Sequence, residues 1–247
     1  MSQTTYEELD AQYKKWDGIA TITQRTKSLS TLFYSFDAIK SEVSRVFGQK
    51  SYENLLMMLY DNVIARDDFQ LTMAYEKSAM VSNDVNYLYL ISQNESEVHM
   101  NTFKTKGSLN KQIFKLSKSV TNLIVELHSS LDDLPSKLFP NEGTKLGPYI
   151  SKMFAKIPVF KDERIIVKYL RHSIIYTKLM KLDKNATNYA EKVNDLANRP
   201  MHSAGIQSAY VSPLKNLRGE QIFSIEDADK SIIELKEHFT RSKRVKK

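Results

Sequence analysis

Between Leu109 and Leu127 the apolar residues Leu109, Ile113, Leu116, Val120, Leu123, Ile124 and Leu127 recur at steps of three and four. That spacing puts side chains on one face of an α-helix. Lys111, Lys115 and Lys118 fall on the opposite face by the same angular count. The wider stretch 98–125 also carries Lys104 and Lys106 and holds no acidic residue. A surface helix usually interleaves its charges as Glu–Lys pairs, which stabilises it; like charges side by side do the reverse. Two readings follow. The stretch is a lysine-rich solvated face, or it is a phosphate-binding wall whose bound anions supply the missing counter-charge. Glycine is scarce, at 7 of 247 residues, and strand-like alternation is rare, so an all-α fold is expected.

The formal net charge of +7 points to nucleic acid, an anionic membrane surface or an acidic partner. The length allows one large domain or two small lobes sharing a core. Absence of cysteine excludes disulfides and thiolate metal sites and suits a reducing compartment. No apolar run approaches the roughly 20 residues that span a bilayer, and the N-terminus lacks the apolar centre of a signal peptide. A soluble intracellular protein is the expectation.

Residues 1–17 read as an amphipathic helix with Tyr6, Leu9, Tyr13 and Trp16 on one stripe, broken by Asp17 and Gly18. The stripe docks on its own body or on a neighbouring subunit. A polar linker, 21–30, leads to a helix carrying Leu32, Phe36, Ile39 and Val43, with Gly48 as its stop and Phe33 and Tyr34 off its centre. Residues 52–65 are apolar almost all round, as in a buried central helix. Residues 69–92 are ambiguous: Phe69, Met73 and Met80 fit a helix, while 85–91 could be a strand. Three prolines and two glycines in 135–148 mark a boundary between lobes. A short helix at 149–155 precedes a longer one at 162–182. On that helix Arg164, Lys168, Arg171 and Lys178 share one face, Tyr169, Tyr176 and Met180 another, and Asp162 and Glu163 occupy the first turn. A further helix at 185–198 stops at Arg199 and Pro200. Ser224 and Asp227 resemble a capping box, and 240–247 form a basic tail.

Sequence motifs for common enzymatic chemistry are missing. There is no P-loop, dinucleotide-binding glycine motif, HExxH or GxSxG, and the five histidines lack metal-ligand spacing. The acid pairs Asp67, Asp68 and Asp132, Asp133 read as helix ends rather than metal ligands. A non-enzymatic protein without cofactor or metal is expected.

The order of short motifs resembles the nucleocapsid proteins of phlebovirus-like and tenuivirus-like segmented negative-strand RNA viruses. That family has an aromatic-x-Gly-Phe/Tyr-Asp-Ala motif near its N-terminal arm; Phe33, Tyr34, Ser35, Phe36, Asp37 and Ala38 stand in that place, with Ser35 where the motif has glycine. Gly48, Tyr52 and Arg66 match the glycine, aromatic and arginine around its buried helix, although Asp67, Asp68 and Phe69 replace the basic cluster that follows. Lys152, Met153, Phe154 and Ala155 weakly echo a Met-x-x-Pro-x-Phe-Ala stretch. Arg199, Pro200, Met201, His202, Ser203 and Ala204, running on to Gln207, Ser208 and Tyr210, are similar to a Pro-Met/Leu-Asn/His-Ala-Ala motif.

The resemblance implies an all-α, two-lobed helical nucleoprotein with an N-terminal exchange arm and hinge at 1–26, an N-terminal lobe at 27–134 and a C-terminal lobe at 135–247. It implies a viral ribonucleoprotein of the virion and host cytoplasm that coats genomic single-stranded RNA without sequence specificity. Lys104, Lys106, Lys111, Lys115, Lys118, Arg66, Arg164, Lys168, Arg171, Lys178 and Arg199 would line a basic inter-lobe groove, and Phe33 and Phe36 would pack against bases. Copies would join head-to-tail through Tyr6, Leu9, Tyr13 and Trp16, with a viral polymerase as a further candidate partner. A helical protein–protein adaptor and a peripheral protein on anionic lipid are the rivals.

Overall fold

The computed structural model describes residues 32–64, 70–74, 85–102, 111–128, 137–140, 142–143, 145–163, 165–183, 186–188, 192, 196, 213–224, 226–227 and 230. In chain order the elements are β1 (Phe33–Tyr34), α1 (Phe36–Phe47), α2 (Tyr52–Asn62), β2 (Thr72–Ala74), β3 (Tyr87–Ser92), β4 (Glu95–Met100), β5 (Gln112–Lys115), α3 (Lys118–His128), α4 (Gly147–Ala155), a 3₁₀ turn (Pro158–Phe160), α5 (Val167–Met180), β6 (Leu214–Lys215) and β7 (Gln221–Phe223). The strands form two sheets, one ordered β1-β6-β7 and one ordered β2-β3-β4-β5. The protein is therefore mixed α/β, and the all-α expectation is overturned.

The reason lies in a period-two pattern. Leu88 and Leu90 on β3, and Ser96, Val98 and Met100 on β4, are buried, while the residues between them are less so. The antiparallel register pairs Leu88 with Val98 and Tyr87 with His99 across a turn at Gln93 and Asn94. β5 adds to β4, pairing Phe114 with Val98 and Ile113 with His99. The lysine helix expected from Leu109 onward thus starts only at Lys118. Lys111 and Lys115 lie at a strand, and Ile113, expected in the core, is 59% exposed.

Helix starts and stops follow local chemistry. The hydroxyl of Ser35 accepts the Ala38 N–H at 3.3 Å and opens α1; Gly48, at φ 84°, closes it. Ser51 caps α2 by accepting the Asn54 N–H at 3.1 Å. Phe36, Ile39 and Val43 bury one stripe of α1. Leu55, Leu56, Met57, Leu59 and Tyr60 of α2 are wholly buried, making it the central helix expected from the sequence. At about 1.5–3 kcal/mol per large apolar side chain, α2 is a main source of burial energy.

α5 is covered along nearly its whole length: every residue from Tyr169 to Thr177 is buried. It packs on α1 and β1. One edge of β1 pairs with the β6 segment, Phe33 N–H donating to Pro213 O at 3.0 Å and Ser35 N–H to Lys215 O at 2.9 Å. The other edge meets hydroxyls of α5 instead of a strand. Tyr34 N–H donates to the Tyr169 hydroxyl at 2.7 Å, and Phe36 N–H to Thr177 Oγ1 at 2.9 Å. Buried residues on both sides of position 134 form one contiguous core.

Candidate nucleic-acid interface

The sheet β2-β3-β4-β5 has one face in the core and one that is partly exposed. Inside, the hydroxyls of Ser96 and Thr121 lie 2.7 Å apart and tie β4 to α3. Outside, the register brings Tyr87, Tyr89, Glu97, His99, Ile113 and Lys115 to one face. The Tyr87 and His99 rings are stacked at 4.4 Å and 15°, and Tyr89 meets His99 edge-on at 6.4 Å. In the Nε2–H tautomer the Tyr87 hydroxyl donates to His99 Nδ1 at 3.0 Å, and Nε2 donates to Glu97 at 3.1 Å. Burial, with the neighbouring Glu97 and Tyr89, raises the Tyr87 phenol above its ordinary range, so it remains a donor. Ile91 and Ile113 add exposed apolar surface. The face offers flat rings with apolar flanks, a surface on which unpaired bases stack.

Cations rim this face. Lys111 precedes β5, Lys115 ends it and Lys118 opens α3; all three are exposed. Lys115 is 3.9 Å from Glu95, a loose surface pair worth little. Lys118 has no acidic partner among the described residues. Asn86 fixes where the lysine-bearing connection leaves β4. Its Oδ1 accepts the N–H groups of Asn101 and Thr102, both at 2.8 Å, and its Nδ2 donates to Thr102 O at 2.9 Å. Lys104 and Lys106 follow in the sequence and lie outside the described residues.

The second basic helix face does not materialise. Arg171 is buried at 5% exposure, because α5 is enclosed on all sides. Lys178 donates to the Asp61 carboxylate at 2.6 Å and to the Asp61 carbonyl at 2.7 Å, a structural tie. Lys168 is exposed in the first turn of α5. Asp162 and Glu163 precede that helix instead of opening it, and Glu163 accepts from Lys215 at 2.6 Å. Phe33 and Phe36 do not face a groove. Both are in the core, Phe33 stacked on His172 at 4.9 Å and edge-on to Tyr169 at 4.6 Å. Arg66, Arg164, Arg199, Tyr6, Leu9, Tyr13 and Trp16 lie outside the described residues.

A shallow groove of about 570 Å³ does run between α1, α2 and α3, but its charges are balanced. Lys50 on its wall pairs with Glu126, Lys40 with Asp61 at 2.7 Å, and Asp37 with Lys181 at 2.6 Å. Of the lysines expected in a groove, the exposed ones at 111, 115 and 118 lie at β5 and the start of α3. Sequence reasoning missed Tyr87, Tyr89, His99 and Asn86; the alternation of 87–90 was the available signal. No helix among the described residues is long and apolar enough to cross a membrane. No family model, curated protein or solved structure matches this chain.

Proposed function

We propose that the protein binds single-stranded RNA without sequence specificity, as a nucleoprotein of the kind its motif order resembles. The observation that carries this reading is the run of exposed lysines at 111, 115 and 118 beside a partly exposed sheet face of tyrosines and histidine. Lysines neutralise phosphates and release counterions; ring faces take bases of any identity. Encapsidation of viral RNA and head-to-tail joining through residues 1–26 belong to the same proposal. The residues that support it differ from those first expected: sheet aromatics take the place of Phe33 and Phe36, and a strand edge takes the place of an inter-lobe wall.

Purified protein is expected to carry nucleic acid, seen as a 260/280 absorbance ratio that falls after nuclease and a high-salt wash. The stripped protein is expected to rebind single-stranded RNA of unrelated sequences with similar affinity. Protein that never carries nucleic acid and binds no RNA at low salt would overturn the proposal; flotation with anionic vesicles instead would favour a membrane-surface role.

A further inference from the structure

A second cavity has the opposite chemistry. It measures about 170 Å³ and is lined by Tyr52, Glu53, Phe139, Pro140, Glu142 and Tyr149. The lining comes from the first turn of α2, the first turn of α4 and the turn at 139–142. Phe139 lies between two tyrosines, its ring 6.0 Å from Tyr52 and 6.1 Å from Tyr149, tilted 55° and 46°. The turn is built rigidly. Gln70 donates its side-chain amide to the carbonyls of Phe139, Glu142 and Gly143 at 3.0, 3.0 and 2.8 Å, and accepts the Phe139 N–H at 3.2 Å. Burial, with the nearby Glu53 carboxylate, pushes the Tyr149 phenol well above its ordinary range. The Glu142 carboxylate has no ion-pair partner among the described residues.

Size and charge select the occupant. The cavity is below the range of about 300–1,000 Å³ typical of small-molecule sites, so it suits a single side chain. Two carboxylates repel phosphate and attract a cation, and aromatic faces add cation–π attraction. A guanidinium fits better than an ammonium, because it is planar, stacks on rings and bonds carboxylates in a bidentate manner. On a chain of net charge +7 this is a local exception, and the chain's own sequence holds a complementary segment. Residues 240–247 contain Arg241, Lys243, Arg244, Lys246 and Lys247 and no acid.

We propose that this aromatic–carboxylate pocket receives an arginine side chain from the basic 240–247 segment of a second copy, making it a self-association socket. The binding is independent of RNA, so its failure leaves the RNA reading intact. The test uses nuclease-stripped, full-length protein carrying Arg241→Gln and Arg244→Gln, which removes competition from its own segment. A fluorescein-labelled peptide of sequence 240–247 is titrated in by anisotropy. Glu53→Gln with Glu142→Gln should weaken binding about tenfold or more, as should replacing both peptide arginines by glutamine. Glu142→Gln alone, with an unchanged melting curve, covers the case where the double variant folds poorly. Sedimentation of the full chain should show less self-association on Arg241→Gln with Arg244→Gln. Equal peptide affinity in the Glu142→Gln variant, or for the arginine-free peptide, overturns the socket. Peptide binding with unaltered self-association overturns the assignment to a second copy.

Discussion

The Asp61 carboxylate is shared by two cations, Lys40 at 2.7 Å and Lys178 at 2.6 Å. Burial pushes its pKa up, but the hydrogen bonds and attraction of Lys178 and Lys40 outweigh burial and hold it below the usual carboxylate range. A depressed folded-state pKa contributes stability that is present above the unfolded value near 3.9 and is lost as pH falls through the folded one. Asp61→Asn is expected to cost about 1–3 kcal/mol at pH 7 in urea unfolding, and the gap to wild type should shrink at pH 3 and below. The Tyr169 hydroxyl serves β1 in a comparable way. Tyr169→Phe leaves the buried Tyr34 N–H without its acceptor, and about 1–3 kcal/mol should be lost with little change in ring packing. These ties span 117 and 135 residues of sequence, which is why neither showed in a single chain read by local pattern. The reciprocal hydrogen bonds of Ser224 and Asp227, at 2.9 and 3.1 Å, were legible because both partners sit within one turn.

At the scale of elements, β5 and α3 show how exposed lysines were assigned to the wrong geometry. Over four residues, steps of three or four and steps of two are hard to separate, so Ile113 fitted a helical stripe until β4 offered it a partner in His99. The lysine run kept its exposure, while Lys115 moved from helix to strand and Lys118 alone stayed helical. Replacing Lys111, Lys115 and Lys118 with glutamine is expected to lower RNA affinity and reduce the salt slope by about 2, since each phosphate contact on a single strand contributes about 0.7. Folding stability should stay within about 0.5 kcal/mol, because all three side chains are exposed. Tyr89→Leu should weaken binding while leaving the salt slope unchanged, since stacking releases no counterions; filter binding across a salt series separates the two effects. The helices α1, α2 and α5 were readable because their apolar residues recur over three or four turns. The aromatic face of the sheet was not, because membership of a face depends on register with another strand.

For the whole molecule, the contiguous core that joins both sides of position 134 makes partial folding unfavourable. Far-ultraviolet and tyrosine near-ultraviolet signals are expected to change together in one urea transition, and a chain ending at residue 212 should lack that transition because it has lost β6 and β7. Two separated transitions would mean that the halves fold independently. Parallel pairing of Phe33 with Leu214 also bears on how the chain is born. About 180 residues must leave the ribosome after β1 before its partner exists, roughly 10–40 s at ordinary rates of synthesis. During that interval Phe33 and Tyr34 lack β6, and until Tyr169 is made they lack the hydroxyl that holds the other edge of β1 as well. A translational pause placed between the codons for α5 and those for β6 should prolong this exposure and lower the yield of soluble protein. The same pause placed ahead of β1 should leave the yield unchanged.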